Sequence, residues 1–165
     1  MKLRYTIRAA LVATTIIAVA CGWYARNVSQ RQREVAILND LERVTDRGVV
    51  IADGVHPYDG CGTWSGAMTH LDFRGPAILR KLNLDAFKRV VRIEVQYEQN
   101  PEIIATIGRF QYLDEAFFDN GSFYAGEELP PEELDYLNAV RQFRSTHPMI
   151  AVQFWDYDEP DDTIN

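Results

Sequence analysis

The chain has 165 residues, a formal net charge of −7 and a hydrophobic share of 47%, which fits one domain and one short additional segment. Its two cysteines, Cys21 and Cys61, exclude a disulfide scaffold within the domain and a multi-cysteine zinc site. Residues 1–33 carry six basic and no acidic side chains, whereas residues 93–165 carry three basic and sixteen acidic ones. Because phosphate contacts need clustered Lys and Arg, this acidic part argues against a nucleic-acid partner.

The first predicted element is a membrane anchor over residues 1–25. An apolar run from Ala9 to Ala25 follows a basic start, and Trp23 and Tyr24 stand where an interfacial aromatic belt would lie. This pattern predicts a retained single-pass helix that contacts membrane lipid. The free amino terminus favours a cytoplasmic N-terminus, with the domain on the other side of the membrane.

Other interpretations of the same segment remain open. The triplet 18–20, Ala-Val-Ala, resembles the small-residue site of a cleaved signal peptide. Together with Cys21 it resembles a bacterial lipobox, although Ala18 stands where that signal usually has Leu; the protein would then be an exported lipoprotein or periplasmic binding module. A buried helix of a soluble domain would leave the lack of acidic residues before Glu34 unexplained.

Residues 26–47 are predicted to form an amphipathic stalk or capping helix. Apolar residues recur on one of its faces: Val28, Val35, Leu38, Leu41 and Val44. Gly48 is a plausible C-terminal cap. The β-branched run 49–53 predicts a first strand, the glycine-rich stretch 54–66 predicts a loop, and Pro76 opens a short helix. Residues 48–89 together are interpreted as a cap for the rest of the domain.

A strand–helix unit repeats from residue 90 to residue 157. Strands are predicted at 90–97, 113–118 and 150–155, with helices beginning at Pro101 and Pro130. Helical connections of this length imply parallel neighbouring strands. The first interval, about 23 residues, falls in the range of leucine-rich repeats. Residues 158–165 are expected to be an acidic tail.

At these residues the chain resembles the small membrane-anchored proteins with degenerate leucine-rich repeats found in planctomycete-type bacteria. The likeness is carried by the helix RQREVAILNDLERV, the stretch AILRKLNLDAFKRVVRIEV and the closing segment FRSTHPMIAVQFW. The resemblance implies an α/β fold: an N-terminal transmembrane helix, then a short leucine-rich-repeat-like domain of alternating helices and parallel strands. It implies no catalytic residue and no cofactor. The strands here carry Phe, Val and Ile where the repeat signature has Leu.

The expected function is non-enzymatic: protein–protein interaction or scaffolding at a membrane, with a protein partner. Parallel strands would place their polar residues on one candidate partner surface, which comprises Arg92, Glu94, Gln96, Glu115 and Gln153. The alternative from another class is a small metal-dependent or thiol hydrolase using the 56–72 loop, which holds His56, Cys61 and His70. Their spacing matches no zinc motif and no orienting partner is identifiable, so no catalytic, cofactor or metal residue is assigned.

Overall fold

The computed structural model describes residues 2–53, 66–96, 98, 100–119 and 131–155, and the following statements concern those residues. Two 3₁₀ segments, Ala77–Leu82 and Asp85–Phe87, lie between the second and third strands. The helices and strands are α1 (Lys2–Val44), β1 (Val49–Asp53), β2 (Gly66–Phe73), β3 (Lys88–Gln96), α2 (Pro101–Ile107), β4 (Glu115–Asp119), α3 (Pro131–Thr146) and β5 (Ala151–Trp155).

The five strands form one mixed sheet in the order β1-β2-β3-β4-β5. β3, β4 and β5 are mutually parallel, as the helical connections predict. β1 is parallel to β2, but β2 runs antiparallel to β3, so the expectation of parallel strands alone is wrong. The strands predicted near residues 49, 90, 113 and 150 are confirmed, whereas β2 was not predicted.

β2 is a strand because of its two neighbours rather than its own pattern. Its sequence, GAMTHLDF, is interrupted by polar residues, yet Thr69 and His70 are almost fully buried between β1 and β3. The predicted loop 54–66 lies outside the described residues except for Gly66, which begins β2. The predicted acidic tail lies entirely outside them.

α1 is one continuous helix whose second half packs on the domain. Its buried positions recur at intervals of three and four residues: Arg31, Glu34, Leu38 and Leu41. Thr45, the residue that follows the helix, continues the same spacing. The prediction that Val35 shares this face is wrong, because its side chain is 40% exposed. Two charged residues occupy the buried stripe instead.

The hydrophobic core lies between one face of the sheet and the helices α1, α2 and α3. Its members include Leu41, Ile93, Val95, Ile103, Ile107, Phe118, Tyr136 and Phe143. Asn100 connects the helices at one end of this layer: its side chain caps α2 by accepting from the Glu102 amide, and it donates to the Val44 carbonyl of α1. The helices are therefore tied to one another as well as to the sheet.

β3 runs beside α1 in the same direction. Arg89, near the start of β3, contacts Asn27, whereas Asn100, beyond its end, contacts Val44. The seventeen-residue interval on the helix rises about 25 Å, similar to the length of a nine-residue strand. The end of the sheet where β3, β4 and β5 begin, here called the strand-start end, therefore faces the first half of α1.

The first half of α1 packs against little of the domain. Its large apolar side chains from Ile7 to Val19 are more than half exposed. Within the described residues, α1 is the one helix long and apolar enough to cross a membrane.

Candidate functional site

The predicted partner surface lies on the sheet face opposite the helices. Arg92, Glu94 and Gln96 alternate with core residues along β3. Glu115 of β4 is in register with Arg92, and Gln153 of β5 is two strands away from Glu94 on the same face. The structure thus places all five residues on one face, with Phe117 between Glu94 and Gln153, and we refer to the five as the polar face.

The polar face is not evenly accessible. The side chains of Glu94 and Gln96 are almost fully buried, and that of Arg92 is 16% exposed. Glu115, with 47% of its side chain exposed, and Gln153 are open to solvent. The part available to a partner, here called the β4–β5 side, is consequently limited to Glu115 and Gln153, since Phe117 and Asp119 of β4 are buried as well.

An ion cluster occupies the buried part of this face. One oxygen of Glu94, Oε1, lies 3.0 Å from His70 Nε2 and 2.8 Å from Arg92 Nε. Arg92 Nη1 is 3.6 Å from Glu115 Oε2, which extends the cluster to the exposed side. Two basic groups therefore share one buried carboxylate, and removing that carboxylate would leave the buried guanidinium without its nearest counter-charge.

The loop predicted at 56–72, on which the hydrolase alternative depends, is wrong for residues 66–72, because they belong to β2. His56 and Cys61 lie outside the described residues, and His70 is engaged with Glu94. Across the part of the chain that the structure describes, no group of three His, Cys, Asp or Glu residues is placed to hold a metal ion.

A second buried polar cluster, which was not predicted from the sequence, joins α1 to the start of β3. Arg89 is 2% exposed, and its Nη1 donates to the carbonyls of Ala86 and Lys88 at 2.8 Å. Its Nη2 donates to Asn27 Oδ1 at 2.9 Å, and its guanidinium lies 5.4 Å from the centre of the Tyr112 ring. These contacts satisfy a charge that would otherwise be costly to bury.

Glu34 is the acidic member of the same cluster. Its side chain is 5% exposed, and Arg31 Nη1 lies 3.5 Å away. Burial raises the pKa of Glu34 to about 7, even though the positive charges of Arg89 and Arg31 act to lower it. Arg31 also contacts Asp85 at 3.3 Å, so the cluster connects α1 to both the second 3₁₀ segment and β3.

A sequence signal for this cluster exists in retrospect. Arg31 and Glu34 stand three residues apart and fall on the same helical stripe as Leu38 and Leu41. A search for apolar residues alone passes over them and selects Val35. The long-range partner, Arg89, has no local signal, because its neighbours in β3 are ordinary strand residues.

Comparison of the chain with family models, curated proteins and solved structures finds no match. A function must therefore be inferred from the chain's own residues. Their arrangement can do two things: hold a domain rigidly on a long apolar helix, and present a mixed-charge sheet face.

Proposed function

We propose that this protein is a non-enzymatic, single-pass membrane-anchored module that binds a protein partner through the β4–β5 side of its polar face. The observation that carries the proposal is the division of α1. Its first half is apolar and exposed, while its second half is buried against the domain in the same unbroken helix. Such a helix suits a protein held at a fixed distance from a bilayer.

The membrane tether is supported by the length and composition of α1. The seventeen residues of the apolar run span about 25 Å as a helix, close to the hydrocarbon thickness of a bilayer. Trp23 and Tyr24 at its end suit the headgroup level. We propose a cytoplasmic N-terminus with the domain on the opposite side, and a bacterial source in keeping with the resemblance.

The binding role is supported by the chemistry of the polar face. Glu115, which is about half exposed, and Gln153, which is exposed, lie on adjacent parallel strands, and the Arg92 guanidinium lies beside Glu115. Because the buried ion cluster holds Arg92 in position, the accessible groups form a preorganised surface of mixed charge that suits a polar protein partner. Three consecutive parallel strands joined by helices also support a short repeat-like unit, a class that often binds partners on its sheet face.

Photo-crosslinking on the full-length chain in its native membranes tests the binding role. A photoreactive amino acid at Gln153 should give a discrete crosslinked protein, which the additional substitution Glu115→Arg should weaken. The matched control places the same group at Glu102, which is exposed on α2 on the helix side of the sheet. Equal crosslinking from both positions, or none from Gln153, would contradict the proposed surface.

Alkaline carbonate extraction and the intact mass of the mature chain test the tether separately. A retained anchor predicts resistance to extraction and the full-length mass. Loss of the first twenty residues would instead indicate a cleaved signal, and added acyl mass on Cys21 would indicate a lipoprotein.

A further inference from the structure

The segment between β2 and β3 exposes large apolar side chains. None of the six residues of the 3₁₀ segment Ala77–Leu82 is buried, and Ile78 and Leu82 are 84% and 64% exposed. Arg80 and Lys81 stand between them, and neither takes part in an ion pair among the described residues. Exposed apolar side chains flanked by unpaired cations are typical of surfaces that lie on lipid.

Aromatic contacts set the position of this segment relative to α1. The ring of Phe87, five residues after Leu82, lies 4.9 Å from the ring of Trp23 and 6.0 Å from that of Tyr24. Phe73, at the end of β2, lies 5.7 Å from Phe87 on the other side of the segment. Both ends of the 74–87 connection are thus held at the level of the aromatic residues that end the apolar half of α1.

Other features of the strand-start end also suit contact with lipid. Met149, just before β5, is 91% exposed, and β5 begins beside β4, where the Ala151 amide donates to the backbone carbonyl of Asp114. A groove on α1, in roughly the first two turns after the apolar run, is lined by Arg26, Arg33 and the polar side chain of Gln111. Apolar and basic side chains therefore recur across this end of the domain.

The nearby acidic residues are already paired. Asp85 contacts Arg31, and Asp114 contacts Arg74, which also lies 3.8 Å from Asp72. Arg80 and Lys81 have no acidic partner among the described residues, so their charges are available to an external anion.

We propose that the strand-start end of the domain docks on the surface of the bilayer that α1 spans, with Ile78 and Leu82 entering the boundary between headgroups and acyl chains. Arg80 and Lys81 contact the phosphates of anionic lipids. The inference depends on the membrane tether proposed above. It implies that the sheet stands upright on the membrane and presents its polar face sideways.

Spin labelling of the full-length chain in lipid nanodiscs tests this docking. Cys21 and Cys61 are replaced by Ser, and a single label is attached after Ile78→Cys. The matched control is Leu134→Cys, an apolar and 46% exposed residue near the start of α3. α3 ends at the strand-start end, where His147 and Ile150 lead into β5, so Leu134 lies near the opposite end of the domain.

The expected result is a membrane-like ratio of oxygen to nickel-chelate accessibility at position 78 and a water-like ratio at position 134. Replacing zwitterionic lipid by anionic lipid should shift position 78 deeper, and Arg80→Gln with Lys81→Gln should abolish that additional shift. Water-like ratios at both positions in both lipids would overturn the docking, even if the chain resists carbonate extraction. Release of the chain by carbonate would overturn the tether and the docking together.

A variant tests the same contact from a second position. Ile78→Asp with Leu82→Asp changes side chains that are exposed, so the domain should retain its circular dichroism spectrum. A label at Met149 should become water-accessible in this variant and be membrane-protected without it. Unchanged accessibility at Met149 would contradict a docked surface.

Discussion

The pH dependence of stability should be governed in part by Glu34, and Glu34→Gln isolates its contribution. Burial raises the pKa of this carboxyl from 4.5 to about 7, so the folded state disfavours its ionised form. The pKa of Glu34 is higher in the folded state than in the unfolded state. The protein therefore loses stability as the pH rises from about 4.5 to about 7, and the loss is complete above the folded-state pKa. A difference of about 2.5 pKa units corresponds to about 3 kcal/mol.

Glu34→Gln should therefore stabilise the protein by about 3 kcal/mol at pH 8.5 and by almost nothing at pH 4.5, where the carboxyl is neutral in the folded state. The assay is urea unfolding of the full chain in detergent micelles, followed by tryptophan fluorescence at the two pH values. Glu42→Gln, an exposed position on the same helix, is the matched control and should change stability little at either pH. A Glu34→Gln protein that is less stable than the original at pH 8.5 would show that its ion pair with Arg31 outweighs the burial.

Three further predictions concern the buried polar groups and the first residue of β2. Arg89→Met should destabilise the domain by about 3–5 kcal/mol in the same unfolding assay. Arg89→Lys should be destabilised as well, because one ammonium group cannot reach the separate acceptors that Nη1 and Nη2 of the guanidinium contact. Glu94→Gln should lower the free energy of unfolding several times more than Glu115→Gln does. Because the Glu115 side chain is about half exposed, its substitution should cost less than about 1 kcal/mol of stability. Equal losses from the two variants would refute the buried ion cluster. Gly66→Ala should lower the midpoint of thermal unfolding, because Gly66 has a φ of +120° and an added Cβ would lie 2.7 Å from a backbone oxygen; an unchanged midpoint would contradict that conformation.

The buried cluster around Arg89 has a mechanical consequence. A domain attached through a flexible linker could take any orientation relative to its anchor. Here Asn27 and Arg31 of α1 contact Arg89 and Asp85 of the domain directly after the apolar run. The first half of α1 is therefore connected to the start of β3 by a continuous helix and direct side-chain contacts rather than by a flexible linker.

The main elements of the fold could be predicted from local pattern. The alternation of β3 and the proline-initiated helices α2 and α3 are written in short windows of sequence, and connection length alone predicted the parallel order of β3, β4 and β5. The same reasoning placed the five polar-face residues on one surface, because side chains alternate strictly along a strand. It could not predict that Glu94 would be buried, since that depends on His70 from a strand with no clear local signal.

Local sequence pattern was sufficient to predict the apolar half of α1, most of the strands and helices after it, and the sharing of one sheet face by Arg92, Glu115 and Gln153. It did not predict that β2 pairs antiparallel with β3, or that charged residues occupy the contact between helix and domain. These two features depend on contacts between residues far apart in the chain. Apolar periodicity acts between residues a few positions apart, whereas Arg89 is satisfied by Asn27, 62 residues earlier in the chain. A buried charge becomes tolerable only when folding brings such partners together.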